Sequence, residues 1–186
     1  MLSDIITYST NLWDSCCYYQ CLFIYSLQSL IPHPKDIVWI IKKPVKYISA
    51  SKRLKWYILT FCIHDWKTGL QLEVALQISV KLNDIIKEII KHRRPFQKYD
   101  WIKSDSKKKT NSYSLPSMSV QNTMLIYPIM FNSLNIPYVA SSLYWMVVIS
   151  RTLRGLHYPH DIVLSTILGK YLRDGFYYLC TAQFKP

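Results

Sequence analysis

A long stretch without charge is the feature that most limits how this chain can fold. From Thr110 to Ser150 the sequence contains no Asp, Glu, Lys, Arg or His. A soluble domain of this size rarely runs so far without a solvated face, so we expect two hydrophobic helices there, broken near Asn132 to Pro137. A second uncharged run, from Ser15 to Pro32, predicts a first membrane helix.

The rest of the chain also shows helical periodicity. Gly69 to Ile90 has apolar residues at helical spacing nearly all round, as expected for a buried or membrane helix. Leu54 to His64 is a shorter apolar segment, Tyr138 to Arg154 predicts another helix, and Asp161 is a candidate N-cap for the last one. No strand pattern and no internal repeat is visible. We therefore predict an all-α, membrane-embedded bundle of five to six helices.

The composition limits the classes of partner that the chain can bind. The formal net charge of +12 implies an anionic partner, which leaves nucleic acid, a lipid headgroup or a phosphorylated substrate. Basic residues alternate with long apolar segments and do not line one amphipathic face, so nucleic acid is not expected. With only four glycines, a glycine-rich phosphate loop is excluded, and an anion must be met by side chains and helix N-termini.

The cysteines predict no cross-link and no metal site. The chain has five, and no two of them show C-x-x-C spacing. We interpret them as reduced apolar side chains, and we expect no metal and no cofactor.

Three clusters in the second half of the chain carry the chemistry. Two arginines and a lysine can hold a doubly charged phosphoryl group, and a histidine four residues before a carboxylate can attack it once that carboxylate orients the ring. In an up-and-down bundle, all three clusters fall at one end, where a single pocket can receive them. The clusters are Lys87 to Arg94-Pro95, then Pro116-Ser117-Met118-Ser119, then Ser150-Arg151 with His157 and Asp161.

These clusters resemble the signatures of the type 2 phosphatidic acid phosphatase family, which is related to the vanadium haloperoxidases. The family signatures are K-x6-R-P, P-S-G-H and S-R-x5-H-x3-D. The first and third match fully, and the second matches only at Pro116 and Ser117. The resemblance covers roughly residues 69–180, a phosphatase-like core, and residues 1–68 form weakly matched N-terminal helices of the same single domain, 1–186.

The resemblance implies a mechanism in which His157 is the nucleophile and forms a phosphohistidine, while Asp161 holds its ring. It implies an integral membrane, phosphatase-like protein, whose expected substrate is a phosphorylated lipid or a polyprenyl diphosphate. The phosphoryl oxygens would be bound by Lys87, Arg94, Arg151 and Ser117, together with nearby backbone amides.

One departure from the family affects catalysis. The family places a general-acid histidine where this chain has Ser119, and a glycine where it has Met118. A serine hydroxyl is a far weaker acid than an imidazolium, and losing a general acid typically costs on the order of 10² to 10⁴ in rate. Three outcomes stay open: an inactive pseudophosphatase that binds anionic phospholipid or phosphorylated lipid, an enzyme restricted to diphosphates, or replacement of the acid by His92 or His160.

Two other questions stay open at this point. The basic segment 98–109 could bind partners in a protein whose pocket is vestigial. The resemblance places the active site away from the cytoplasm, whereas the basic segments 42–55 and 91–109 favour the cytoplasmic side for the same end of the bundle. The side of the membrane that the pocket faces is therefore unresolved.

Overall fold

The computed structural model describes residues 2–30, 45, 51–104 and 113–182. Across these residues all regular structure is helical and no strand occurs, which confirms the predicted all-α fold. Most of the basic segment 42–55 and residues 105–112 lie outside the described residues. The helices are α1 Leu2–Ser29, α2 Ser51–His64, α3 Trp66–Ile90, α4 Pro95–Lys98, α5 Met118–Ser133, α6 Pro137–Leu153 and α7 Pro159–Ala182.

The helices predicted in the uncharged stretch are α5 and α6, and the chain breaks between them at Asn135, whose φ is 57°. The helix predicted from Gly69 begins three residues earlier, because the Asp65 side chain accepts a hydrogen bond from the Thr68 amide at 3.2 Å. It ends at Ile90, as expected, with Lys91 in the left-handed conformation that commonly closes a helix.

The prediction that Asp161 is the N-cap of the last helix is wrong. Helix α7 begins at Pro159, which suits the first position because its fixed φ is helical and its missing N–H would have no partner there. Asp161 instead lies in the first turn and reaches back, and its Oδ2 accepts the backbone N–H of Tyr158 at 3.0 Å. This turn presents the carboxylate toward the loop before the helix.

Helix α5 occupies the centre of the bundle and packs against α7, α6 and α3. A buried polar network joins it to α3: Gln121 Nε2 donates to Ser79 Oγ at 2.8 Å, and Asn83 Nδ2 donates to Gln121 Oε1 at 2.7 Å. Buried amides and hydroxyls are stable only when they are paired, so this network specifies how the two helices register. Asn83 lies one turn before Lys87, so the network also fixes the end of α3 that carries Lys87.

The predicted membrane helix within Ser15–Pro32 coincides with α1 as far as Ser29, and residues 31 and 32 lie outside the described residues. Among the helices of the described residues, none is both long enough and apolar enough to cross a membrane.

Candidate active site

The tertiary structure brings the three sequence clusters close together. Each cluster lies where a helix begins or ends, so the connecting loops and helix termini build the site. The positions are Lys87 in the last turn of α3, Arg94 before α4, Ser117 before α5, Arg151 in the last turn of α6, His157 in the loop before α7 and Asp161 in the first turn of α7.

His157 lies among these charged residues, with its side chain buried. Burial lowers the pKa of its imidazole well below 6.5, because a charged ring would lose hydration. The positive charges of Arg94 and Arg151, and more weakly that of Lys87, lower this pKa further, while Asp161 acts in the opposite direction. The ring is therefore neutral at neutral pH and carries the free lone pair that a nucleophile needs.

The loop that carries His157 is held to the loop after α3. Arg94 Nη1 donates a hydrogen bond to the Leu156 carbonyl oxygen at 3.1 Å. Gly155 makes the sharp turn before it, with a φ of 59°, and a side chain there would meet Ile102 at 2.4 Å. Burial lowers the pKa of Arg94 to about 10, and the charge of Asp161 opposes that change. Arg94 thus remains a cation at neutral pH while it also organises the loop.

Asp161 is fully buried, and its two oxygens have different partners. Oδ2 accepts hydrogen bonds from the Ser114 hydroxyl and the Tyr158 amide. The Nδ1 of His157 is 3.9 Å from the same oxygen, so the pair must shorten by about 1 Å to form a hydrogen bond. The resemblance implied that Asp161 holds the ring of His157, and the structure places the two groups as close neighbours rather than in direct hydrogen-bond contact.

Sequence reasoning did not find Ser114, which lies two residues before the second cluster and contacts the Asp161 carboxylate. Ser114 also donates its backbone N–H to the His92 carbonyl oxygen at 2.7 Å, linking the segment before α5 to the loop after α3. A short-range pattern cannot indicate this residue, because its partner Asp161 is 47 positions away.

The second cluster lies beside Arg151. The Nη2 of Arg151 donates to Ser119 Oγ at 2.7 Å, so the side chain at the family's general-acid position contacts a pocket cation. Ser117 precedes α5, and its buried Oγ has no hydrogen-bond partner among the described residues. Its amide donates to Ser165 Oγ at 2.6 Å, which ties the start of α5 to α7. The hydroxyls of Ser117 and Ser119 thus lie at the N-terminal end of α5, where free backbone amides favour an anion.

The two histidines considered as replacement acids lie against the other oxygen of Asp161. His92 Nδ1 is 3.4 Å and His160 Nε2 is 3.1 Å from Oδ1. Their rings stack on Tyr158, with centroid distances of 4.9 and 5.2 Å, and both contact the indole of Trp13. This arrangement surrounds the carboxylate and gives no support to an acid role at the position of Ser119.

The structure is thus an all-α bundle in which a buried histidine is flanked by a carboxylate and three cations, all on loops and helix ends. The family model described as the PAP2 superfamily matches residues 68–184, which is more than half of the sequence. The chain belongs to the PAP2 superfamily.

A solved structure shares the fold. It is the crystal structure of a transmembrane PAP2 type phosphatidylglycerolphosphate phosphatase from Bacillus subtilis, with a TM-score of 0.75 and 20% sequence identity. The alignment covers 94% of this chain and 88% of the other. A comparison of the sequence with curated proteins gives no match.

Proposed function

We propose that this protein is a membrane-associated phosphatase that removes the terminal phosphate from lipid or polyprenyl diphosphates through a phosphohistidine on His157. The observation that carries the proposal is the convergence of Lys87, Arg94 and Arg151 on a buried, neutral His157. Phosphoryl transfer depends mainly on positioning and on neutralising the charge of the equatorial oxygens, and guanidinium groups do both well.

In the first step, His157 Nε2 attacks the terminal phosphorus, because Nδ1 faces Asp161. A P–N bond forms, and the P–O bond to the bridging oxygen breaks, so the lipid monophosphate leaves with the bonding electron pair. The positive charge that develops on the imidazole is stabilised by the Asp161 carboxylate. Arg94, Arg151 and Lys87 neutralise the phosphoryl oxygens.

In the second step, water attacks phosphorus and the P–N bond breaks. The hydroxyl of the water stays on inorganic phosphate, its proton is released, and neutral His157 is regenerated. A diphosphate suits this site because a phosphate group leaves without the proton that an alkoxide requires. Ser119, held by Arg151, is the wrong group to supply that proton.

Four features support a lipid substrate and a membrane location. A cavity of about 300 Å³ lies between α5, α6 and α7, and its wall includes Thr123, whose hydroxyl donates to the Ser119 carbonyl oxygen at 2.9 Å. Large side chains such as Phe23, Trp145 and Tyr171 are exposed on the helices, and the net charge of +12 favours anionic headgroups. The PAP2 type neighbour is described as transmembrane. Retention in the membrane fraction after carbonate washing tests the location, and release of the full-length chain contradicts it.

The activity is tested with a matched pair of substrates. Protein purified in detergent is expected to release phosphate from a polyprenyl diphosphate on the order of 10² or more faster than from the monophosphate of the same alcohol. The shared lipid tail keeps binding comparable, so the ratio reports the leaving group. Equal rates on both substrates would contradict the diphosphate preference.

A second candidate is a pseudophosphatase that binds anionic or phosphorylated lipid without turnover. The observation that favours it is Ser119 hydrogen-bonded to Arg151 at the general-acid position. It predicts that vanadate binds, that Arg94→Gln and Arg151→Gln abolish this binding, and that no substrate releases phosphate. Detection of phosphohistidine on His157 excludes this candidate.

The pH dependence of the reaction follows from the lowered pKa of His157. Protonation inactivates the nucleophile, so activity falls with pH only below the ordinary histidine value of about 6.5. Arg94→Gln removes a positive charge that lowers this pKa. The pKa of His157 then rises, the protonated form persists to higher pH, and the acid limb of kcat/KM moves upward.

The exposed neighbour Arg93 offers the matched control. Arg93→Gln removes a charge of the same sign at the adjacent position and is expected to leave the acid limb in place. An acid limb unchanged in Arg94→Gln contradicts the assignment of this limb to His157.

A further inference from the structure

Another group of side chains, distinct from the three sequence clusters, lies where α1 packs against the two loops that carry the candidate site. Cys17 of α1, His92 after α3 and His160 in α7 each offer a metal-ligand atom, and these atoms lie within 4.8 Å of one another. Cys17 is buried and the two histidines are partly buried. The Sγ of Cys17 is 3.7 Å from His92 Nε2, close to the roughly 3.6 Å edge that tetrahedral Zn–S and Zn–N bonds define.

The hydrogen bonds of Gln20 show which nitrogen His160 offers. Gln20 Oε1 lies 3.2 Å from the backbone N–H of His160, so this atom is an acceptor. The same oxygen is 2.8 Å from Nδ1 of the His160 ring, which must therefore carry a proton. The remaining nitrogen, Nε2, is buried and lies 3.1 Å from Asp161 Oδ1. With Nδ1 protonated, the neutral ring directs a lone pair toward this carboxylate oxygen, and a cation bound to Nε2 relieves the repulsion between the two atoms.

The other histidine has the same arrangement. His92 Nδ1 faces the Asp161 carboxylate at 3.4 Å, which leaves Nε2 on the side of Cys17. In metal sites a ligating histidine usually directs its second ring nitrogen to a carboxylate or carbonyl oxygen, which fixes its tautomer and orientation. Here Asp161 and Gln20 take that position for the two rings, and Trp13 packs beside both of them.

We propose that Cys17, His92 and His160 bind one Zn²⁺ ion, with a fourth position open to water. Thiolate and imidazole ligands together favour zinc over magnesium or calcium, which prefer oxygen ligands. Binding releases the thiol proton of Cys17 and leaves the Asp161 carboxylate as the hydrogen-bond partner of His92. The site adjoins the proposed phosphate pocket through Asp161, but its ligands are different residues and metal binding does not depend on the proposed activity.

We expect the bound ion to cross-link α1 to the loops of the candidate site. The bound ion would tie α1 to the loop that precedes Arg94 and to the helix turn that contains Asp161. The sequence predicted no metal site, because Cys17 and His92 are 75 positions apart and only the packing of α1 brings them together.

The experiment uses the full-length chain in detergent, stripped with a chelator and titrated with Co²⁺ and then Zn²⁺. We expect about one equivalent of either ion per chain, with a sulfur-to-cobalt charge-transfer band that zinc displaces. Zinc at 100-fold above its Kd should raise Tm by about 5 to 10 °C. Cys17→Ser and His160→Gln are expected to lose the band and the Tm shift.

Matched variants separate this site from surface binding. Cys16→Ser changes the neighbouring exposed thiol, and His64→Gln changes an exposed histidine on α2, and both should bind the metal as the unchanged chain does. Far-UV circular dichroism and the Tm without metal establish that each variant is folded. The proposal is overturned if the unchanged chain shows no charge-transfer band, or if folded Cys17→Ser keeps it.

Discussion

Replacing His157 by alanine is expected to abolish phosphate release and the phosphoenzyme. The imidazole is the only group proposed to form a bond to phosphorus, and removal of one member of a nucleophilic unit typically costs on the order of 10⁴ to 10⁶ in kcat. The loss should fall on kcat more than on KM, because Arg94 and Arg151 remain to bind the substrate. The measurements are steady-state phosphate release and acid-labile, base-stable labelling from a diphosphate with a radioactive terminal phosphate.

His64→Ala serves as the control, since His64 is an exposed histidine on α2, outside the pocket. It should retain full activity and full labelling. Vanadate should still protect the His157→Ala variant against thermal unfolding, which shows that the anion pocket is intact. Phosphate release at the unchanged rate in folded His157→Ala protein would falsify the nucleophile assignment.

Converting the second cluster to the family pattern is expected to give the second large effect, a gain of monoester hydrolysis. The double variant Met118→Gly, Ser119→His provides an imidazole at the general-acid position and removes a side chain beside it. Protonation of the leaving oxygen typically contributes on the order of 10² to 10⁴ in rate. The lipid monophosphate should therefore gain by that factor, while the diphosphate, which needs no proton on its leaving group, should change little.

The control for this gain is Met118→Gly, Ser119→Asn. Asparagine keeps a group that can accept the hydrogen bond from Arg151, which Ser119 accepts at 2.7 Å, but it cannot transfer a proton. The ratio of monoester to diphosphate rates is the measured quantity. The missing-acid explanation is wrong if the asparagine variant gains as much monoester hydrolysis as the histidine variant. It is also wrong if the folded histidine variant hydrolyses diphosphate but shows no gain in monoester hydrolysis.

Much of the fold could be predicted from the sequence because helix signals are local. The uncharged stretch defined α5 and α6, and the apolar periodicity of Gly69 to Ile90 defined α3. The errors lie at helix starts, where a single side chain determines which residue begins the helix. Asp65 extends α3 by three residues through its bond to Thr68, and Pro159 moves the start of α7 ahead of Asp161.

The candidate site could also be predicted only in part from the sequence. The spacing of the three signatures identified the charged residues and His157, because each signature lies within one stretch of chain. It could not identify Ser114, which contacts Asp161, or Gln28 of α1, whose side-chain amide donates to the carbonyl oxygens of Lys103 and Leu153 at 2.8 Å. These partners lie far apart in sequence, and only packing sets their distances.

The sequence by itself determined the helical class and the family, and it supplied the residues proposed to bind phosphate, since each depends on residue types at short, regular spacing. The tertiary structure alone decided the electrostatic state of His157, because its lowered pKa depends on burial and on charges from three other segments. It also decided that Cys17, His92 and His160 meet. Local spacing specifies which groups a helix end presents, whereas the distances between groups on different helices are set by how the whole bundle packs.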